Sequence, residues 1–234
     1  WAATGFHSAL KSNRQLALQT VAHSMLTHLP QLAPESDNTL IFIFQFPDRA
    51  SPSLHSRSLA NFLVAGCCGD GFSIVKNCFG KPLIADSPFH LSVSHSKSTL
   101  AIALATCNIG LDIEFLRYPE KWQAVYQWIN QQENPEETPT VEQYLQCWTA
   151  KESLLKATGF GLDYGLHKVR VPGLIENGVH YRTRMEGQRY WTQCLSVAKE
   201  GILSITSAKL RKSQLFTFAD ANGVIGQSLS FEQY

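Results

Sequence analysis

One residue that could do chemistry is a carboxylate, Glu152, at what looks like a core position. When the segment from residue 141 is wound as a helix of about 100° per residue, its apolar residues form an arc, and Glu152 lies in the middle of that arc. The apolar members of that arc are Val141, Leu145, Trp148 and Leu155. An ionised carboxylate buried without a cation or another strong partner is costly. The sequence therefore predicts that another part of the fold supplies a partner for Glu152.

A second stretch, Ile109–Phe115, alternates strictly between two faces of a predicted β-strand. One face is apolar, and the other carries Gly110, Asp112 and Glu114. If the helix packs so that Glu152 meets this second face, three acids converge. Such a cluster repels itself unless a hard divalent cation such as Mg²⁺ is present. The ordinary alternative is that the strand acids are solvated and that Glu152 pairs with Lys156 on the helix surface.

One further segment suits an anionic ligand. Ser94, His95 and Ser96 lie where a predicted strand is expected to give way to a turn, and Lys81 lies in a predicted turn at residues 79–83. Hydroxyls, imidazole and unpaired backbone N–H groups at a turn suit phosphate oxygens. Arg57 lies near the start of a predicted helix. The alternative for each cation is an ordinary solvated surface position.

Composition bounds the classes of function. The chain has 234 residues and a formal net charge of +1, so no global basic field suggests nucleic-acid binding. No apolar run reaches the length of a membrane span, and the first ten residues lack the order of a signal peptide. The six cysteines show no metal-ligand spacing, which favours reduced core thiols. We therefore expect a cytoplasmic protein without a nucleic-acid or membrane partner.

The pattern of elements mixes helices and strands. Helical spacing covers residues 12–29, 52–65 and 119–132, and a further helix is predicted from Thr138 and Pro139 to the glycines at 159 and 161. Strands are predicted at residues 39–46, 72–77, 99–106, 109–115, 169–171, 179–184, 188–196 and 202–207, with edge strands at 215–218 and 224–231. The halves 1–116 and 117–234 contain similar numbers of elements.

Four motifs in order carry a resemblance to a known family. They are Gly-Lys-Pro at 80–82, Ser-His-Ser at 94–96, Gly-Leu-Asp-Ile-Glu at 110–114 and Trp-Thr-Ala-Lys-Glu-Ser-Leu-Leu-Lys at 148–156. Together they resemble the Sfp-type 4′-phosphopantetheinyl transferases. The resemblance implies an α+β monomer built as a pseudo-twofold pair of similar halves, 1–116 and 117–234, with coenzyme A bound in the cleft between them.

The reaction implied is the Mg²⁺-dependent transfer of 4′-phosphopantetheine from coenzyme A to a serine of an apo acyl or peptidyl carrier protein, releasing 3′,5′-ADP. By position, Asp112, Glu114 and Glu152 match the metal-binding acids of the family. The residues that match its coenzyme-binding positions are Arg57 at the 3′-phosphate, Lys81, Ser94, His95, and Lys156 at the pyrophosphate. The sequence departs from the family in two places. Arg49 is the only obvious basic candidate upstream of Arg57, and Ser92 stands where many relatives have Asn.

The chemistry of the reaction agrees with this assignment. The carrier serine must lose a proton, which Glu152 is predicted to accept, and charge builds on the departing pyrophosphate, which Lys156 and His95 are predicted to stabilise. A Mg²⁺-dependent phosphohydrolase could use the same acids. A non-catalytic binding module would need none of them together. The helix at 119–132 is a candidate to dock the carrier, the alternative being that its aromatic residues are core.

Overall fold

The computed structural model describes residues 29, 31–33, 35–46, 52–115, 120–131, 139–172, 175–197, 201–219 and 224–231. The helix predicted at 12–29, apart from Leu29, and the basic residue Arg49 lie outside these ranges. Among the residues described, every helix is too short or too polar to cross a bilayer. None of the six cysteines is in a disulfide; four are buried, as expected of core thiols, whereas Cys68 is half-buried and Cys78 is exposed.

The described residues form helices and strands, and all but one of the strand pairs are antiparallel, which confirms the α+β class. The helices are α1 (Pro52–Cys68), α2 (Trp122–Ile129) and α3 (Val141–Thr158), followed by two 3₁₀ turns, Leu162–Tyr164 and Leu166–Lys168. The strands are β1 (Asn38–Gln45), β2 (Ile74–Lys76), β3 (Pro82–Ile84), β4 (His90–Ser96), β5 (Thr99–Ala105), β6 (Ile109–Phe115), β7 (His180–Met185), β8 (Gln188–Val197), β9 (Gly201–Ser207), β10 (Lys212–Ala219) and β11 (Val224–Phe231).

Two larger sheets and one small hairpin organise the described strands. The first sheet has the order β11-β10-β1-β5-β4, in which β1 and β10 are parallel. The second, β6-β9-β8-β7, is antiparallel throughout, and β2 pairs with β3 alone. Because β10 joins β1 and β6 joins β9, each larger sheet contains strands from both predicted halves. The division between residues 116 and 117 itself stays a prediction.

The two faces of β6 have different neighbours. Its apolar side chains, Ile109, Leu111 and Ile113, are fully buried and pack against Ile41 and Ile43 of β1, between the two sheets. The opposite face of β6 lies under α3. The strict alternation read from the sequence therefore describes a strand that is buried on both faces up to Ile113, so Asp112 faces a helix rather than water, while Glu114 is partly exposed.

Helix α3 begins and ends with local signals. Thr140 is the N-cap and forms a capping box with Gln143, so the prediction that Thr138 and Pro139 start the helix is wrong. Gly159 is the C-cap with φ 79°, the left-handed conformation that glycine adopts without strain, as predicted. The box satisfies two backbone N–H groups that would otherwise lack partners.

Other boundaries also differ from expectation. Pro82 and Leu83 belong to β3 rather than to the preceding turn, and residues 169–171 form no strand. Ser94 to Ser96 lie inside β4, paired with β5, rather than in a turn. In α2, Tyr126 and Ile129 are buried, which supports the core alternative for those two side chains, while Trp128 is 51% exposed.

Candidate active site between the two sheets

A cleft of about 840 Å³ collects most of the predicted site residues. Seven of the eight line it, and the eighth, Lys81, lines an adjoining cavity of about 480 Å³. The seven are Arg57, Ser94, His95, Asp112, Glu114, Glu152 and Lys156. Because Glu152 and Lys156 line both cavities, the two form one continuous depression. The fold thus brings together residues separated by up to a hundred positions in the chain.

A glycine sets the distance between α3 and β6. A Cβ atom added at Gly110 would lie 2.9 Å from the carbonyl carbon of Lys156 and closer still to the backbone oxygen of Ser153 and nitrogen of Ala157. Only glycine lets the helix backbone approach the strand this closely. The close approach is what brings Glu152 and Lys156 to the strand acids.

Lys156 is a cation beside the acid cluster, which consists of Asp112, Glu114 and Glu152. Its Nζ lies 2.6 Å from Oδ1 of Asp112 and 4.0 Å from Oε2 of Glu152. The side chains of Asp112 and Glu152 are only 5% and 12% exposed. The alternative of a solvated strand face with an ordinary surface pair is therefore wrong for these residues.

The pKa of Glu152 is raised by its surroundings. Burial, the nearby charge of Asp112 and, less strongly, that of Glu114 raise this pKa, the Lys156 ammonium lowers it, and the net value is about 7. The effect of both strand acids on this pKa means that the three carboxyl groups share one electrostatic environment. A group with a pKa near neutrality is suited to accepting a proton at physiological pH.

The acid cluster fits a hard cation chemically, although its acids are not arranged as a complete cage. Oδ2 of Asp112 is buried and has no hydrogen-bond partner, which leaves one carboxylate oxygen for a further ligand. The donors are all carboxylate oxygens, which Mg²⁺ prefers. Within the described part of the chain, no three His, Cys, Asp or Glu side chains are close enough together to hold one metal ion. Binding would therefore require at least one of the three side chains, Asp112, Glu114 or Glu152, to move.

The Ser-His-Ser segment divides between two environments. Ser94 is buried, donates to Oδ1 of Asp112 at 2.7 Å and accepts from Lys156 Nζ at 3.1 Å. His95 is exposed and lines the cleft. In this arrangement Ser94 faces the acids, whereas His95 is accessible to an anionic ligand.

The Gly-Lys-Pro segment forms a hydrogen bond with the last turn of α3. Oδ1 of Asn77 accepts the backbone N–H groups of Phe79 and Lys81, which closes the turn. The Lys81 ammonium donates to the carbonyl oxygen of Ala157 at 2.9 Å, in the last turn of the helix, where a cation is favourable. Burial lowers the pKa of Lys81 to about 8. Its charge is therefore present at neutral pH and lost in mildly alkaline solution.

If coenzyme A is the ligand, as the resemblance implies, the pKa of Lys81 predicts a pH dependence of its binding. If Lys81 meets a phosphate, its ammonium contributes below about pH 8 and not above, so the dissociation constant should rise about tenfold between about pH 7 and pH 9.5. Calorimetric titration of coenzyme A across this range measures it. The control is Lys81→Met, which should bind weakly and without this pH dependence. An equal pH dependence in both proteins would contradict the assignment.

Sequence reasoning missed two features of the cleft. Lys76, the last residue of β2, lines the cleft, as Arg57 does. Its position shortly before the Gly-Lys-Pro turn could have identified it from the sequence. Trp148, interpreted as core, is partly buried but also lines the cleft. Both add to the surface that a ligand would contact.

Comparison with known proteins points to the family that the motifs resemble. Residues 108–205, less than half of the chain, match the ACPS model, described as the 4′-phosphopantetheinyl transferase superfamily. The chain is 30% identical over 94 residues to the 4′-phosphopantetheinyl transferase gsp of Aneurinibacillus migulanus, which covers 37% of this chain and 38% of that protein. It is 29% identical over 93 residues to the 4′-phosphopantetheinyl transferase psf-1 of Bacillus pumilus, covering 37% and 40%.

The predicted resemblance is therefore confirmed. The matched segment contains Asp112, Glu114, Glu152 and Lys156, and it leaves out the proposed anion-binding residues of the N-terminal part. The alignments span about two fifths of the length of these relatives. The phosphohydrolase alternative receives no support from their names.

Proposed function

We propose that the chain transfers the 4′-phosphopantetheine group of coenzyme A to a serine of an apo acyl or peptidyl carrier protein and releases 3′,5′-ADP. The observation that carries this proposal is the cleft in which the acids of the matched segment and the cations and hydroxyls of α1, β2 and β4 are brought together. Such an arrangement suits a ligand with several phosphate charges, since the protein as a whole is nearly neutral.

Acceptance of the serine proton is assigned to Glu152. Without a metal ion its pKa of about 7 leaves a substantial fraction ionised at neutral pH, and its side chain lines both cavities. The transferred phosphorus forms a bond to the serine oxygen and loses its bond to the bridging oxygen of the pyrophosphate, which leaves as part of the 5′-phosphate of 3′,5′-ADP. The proton passes from the serine hydroxyl to Glu152 or to a water held by it.

The cations of the cleft are assigned to the coenzyme. Lys156 and His95 would stabilise the charge that develops on the leaving 5′-phosphate of 3′,5′-ADP, while Lys81 and Arg57 would bind other phosphate oxygens. Ser94 would orient Asp112 and Lys156 by its two hydrogen bonds. Each of these residues binds, orients or neutralises, and none forms a covalent intermediate.

Mg²⁺ is proposed as the cofactor, held by Asp112, Glu114 and Glu152. When bound, the ion would neutralise phosphate charge and lower the repulsion among the three acids. The buried Oδ2 of Asp112, which lacks a hydrogen-bond partner, supports this proposal. Lys156, now 2.6 Å from the same carboxylate, would then be available to the pyrophosphate.

The oligomeric state, the internal symmetry and the cellular location of the chain are also proposals. We propose that the chain is a monomer whose halves, 1–116 and 117–234, are related by a pseudo-twofold axis. The packing of α1 on the first sheet and of α3 on the second supports this interpretation. A cytoplasmic location is proposed on the basis of the six cysteines, none of which is in a disulfide.

Product analysis tests the reaction class. With coenzyme A, Mg²⁺ and an apo carrier protein, chromatography should detect 3′,5′-ADP only when the carrier and its target serine are present. The carrier with that serine changed to alanine is the control. Release of free 4′-phosphopantetheine without a carrier would instead identify a phosphohydrolase and overturn the proposal.

A further inference from the structure

Three serines join two strands that share no sheet. β4 is an edge strand of the first sheet and β6 an edge strand of the second, and the two strands are not paired in a common sheet. Ser92, Ser94 and Ser96 alternate along β4, so they share one face of that strand. All three are buried, at 3%, 7% and 4% exposure. Their hydroxyls thus take the place of a backbone ladder between the two sheets.

The hydroxyls of Ser92 and Ser96 form different kinds of hydrogen bond with β6. Ser92 accepts the backbone N–H of Leu111 at 2.9 Å, which satisfies the main chain of β6. Ser96 instead donates to Oε2 of Glu114 at 2.6 Å. The first bond fixes the strand, whereas the last fixes a functional side chain at the end of the strand.

Ser96 has one proton to donate, and it is directed at a carboxylate. A hydrogen bond to an ionised acceptor is shorter and stronger than one between neutral groups. Glu114 is only partly buried, near the end of β6, so packing alone restricts its rotamers less than those of Asp112. The hydrogen bond from the buried Ser96 hydroxyl therefore restricts the direction of this carboxylate.

We propose that Ser96 is a positioning residue, which holds Glu114 in the orientation needed to bind a divalent cation. The proposal rests on the metal site of the proposed function and adds a residue that the motif comparison did not assign to it. Residues that hydrogen-bond to metal ligands fix their direction, and losing one typically lowers metal affinity about tenfold or more. Ser96 acts through Glu114 and has no direct contact with substrate.

The test compares Ser96→Ala with Ser92→Ala, a matched control on the same face of the same strand. Mn²⁺ binding to the protein without coenzyme A is measured by calorimetry, and thermal unfolding is recorded without metal. Both variants lose one bond between the sheets, so both should lower the melting temperature. Only Ser96→Ala should weaken Mn²⁺ binding, by about tenfold.

The double variant Ser96→Ala/Glu114→Gln distinguishes a specific effect on Glu114 from a general weakening of the contact between the two sheets. If Ser96 acts through Glu114, the serine change should alter Mn²⁺ affinity little once Glu114 is glutamine. Parent-like affinity in Ser96→Ala, or an undiminished effect in the double variant, would overturn the proposal. If the parent chain modifies no carrier protein, the proposed function is overturned, while the Mn²⁺ affinities still decide the role of Ser96.

Discussion

Replacing Gly110 with alanine should disable the site without removing any functional group. The added Cβ would overlap the backbone of α3 at Ser153 and Ala157, so the helix must move away from β6. Overpacking of this kind costs typically about 1–3 kcal/mol of stability. Displacing catalytic groups by about 1 Å can cost on the order of 10²-fold in rate. Thermal unfolding and carrier-modification rates measure the two effects on the same preparation.

Gly187→Ala is the matched control for this variant. Gly187 lies in the turn between β7 and β8 at φ 77°, with open space where a Cβ would stand. Alanine there should strain the backbone, at about 1–2 kcal/mol, and leave transfer unchanged. A Gly110→Ala protein with parental stability and rate would show that the close helix–strand contact does not position the acids.

Glu152→Gln should slow transfer by about 10²–10⁴-fold, the range of general acid–base catalysis. Glutamine keeps the shape and an oxygen that can meet a metal, but it accepts no proton at neutral pH. If Glu152 is the base, coenzyme A binding should stay near the parental value and raised Mg²⁺ should not restore the rate. Rate against Mg²⁺ concentration is the measurement.

The control is Glu142→Gln, an exposed acid in the first turn of the same helix. It should leave both the rate and its Mg²⁺ dependence unchanged. If excess Mg²⁺ restores most of the activity of Glu152→Gln, then Glu152 is mainly a metal ligand. That result would contradict the assignment of proton transfer to this residue.

Local patterns were sufficient for the two elements that build the site. The alternation in β6 and the capping glycine of α3 are properties of short segments, and the structure has both. The N-cap was misplaced because Thr138 and Thr140 offer similar hydroxyls. The Thr140 to Gln143 capping box was readable and distinguishes them.

Contacts between distant segments could not be predicted in the same way. Val169 and Val171 are buried on either side of an exposed Arg170, so they resemble a strand, yet they join no sheet in the described residues. Alternation reports burial, whereas a strand also needs a partner. Likewise, nothing within residues 90–96 indicates that Ser96 meets Glu114, because that contact depends on how two sheets meet.

The mass of an apo carrier protein after incubation with this chain, coenzyme A and Mg²⁺ tests the central claim most directly. The account predicts that intact-protein mass spectrometry finds one added 4′-phosphopantetheine group on the target serine. It predicts no addition when excess chelator is present or when Asp112 is replaced by alanine. A carrier left unmodified by the parent chain, or modified equally in chelator, would contradict it.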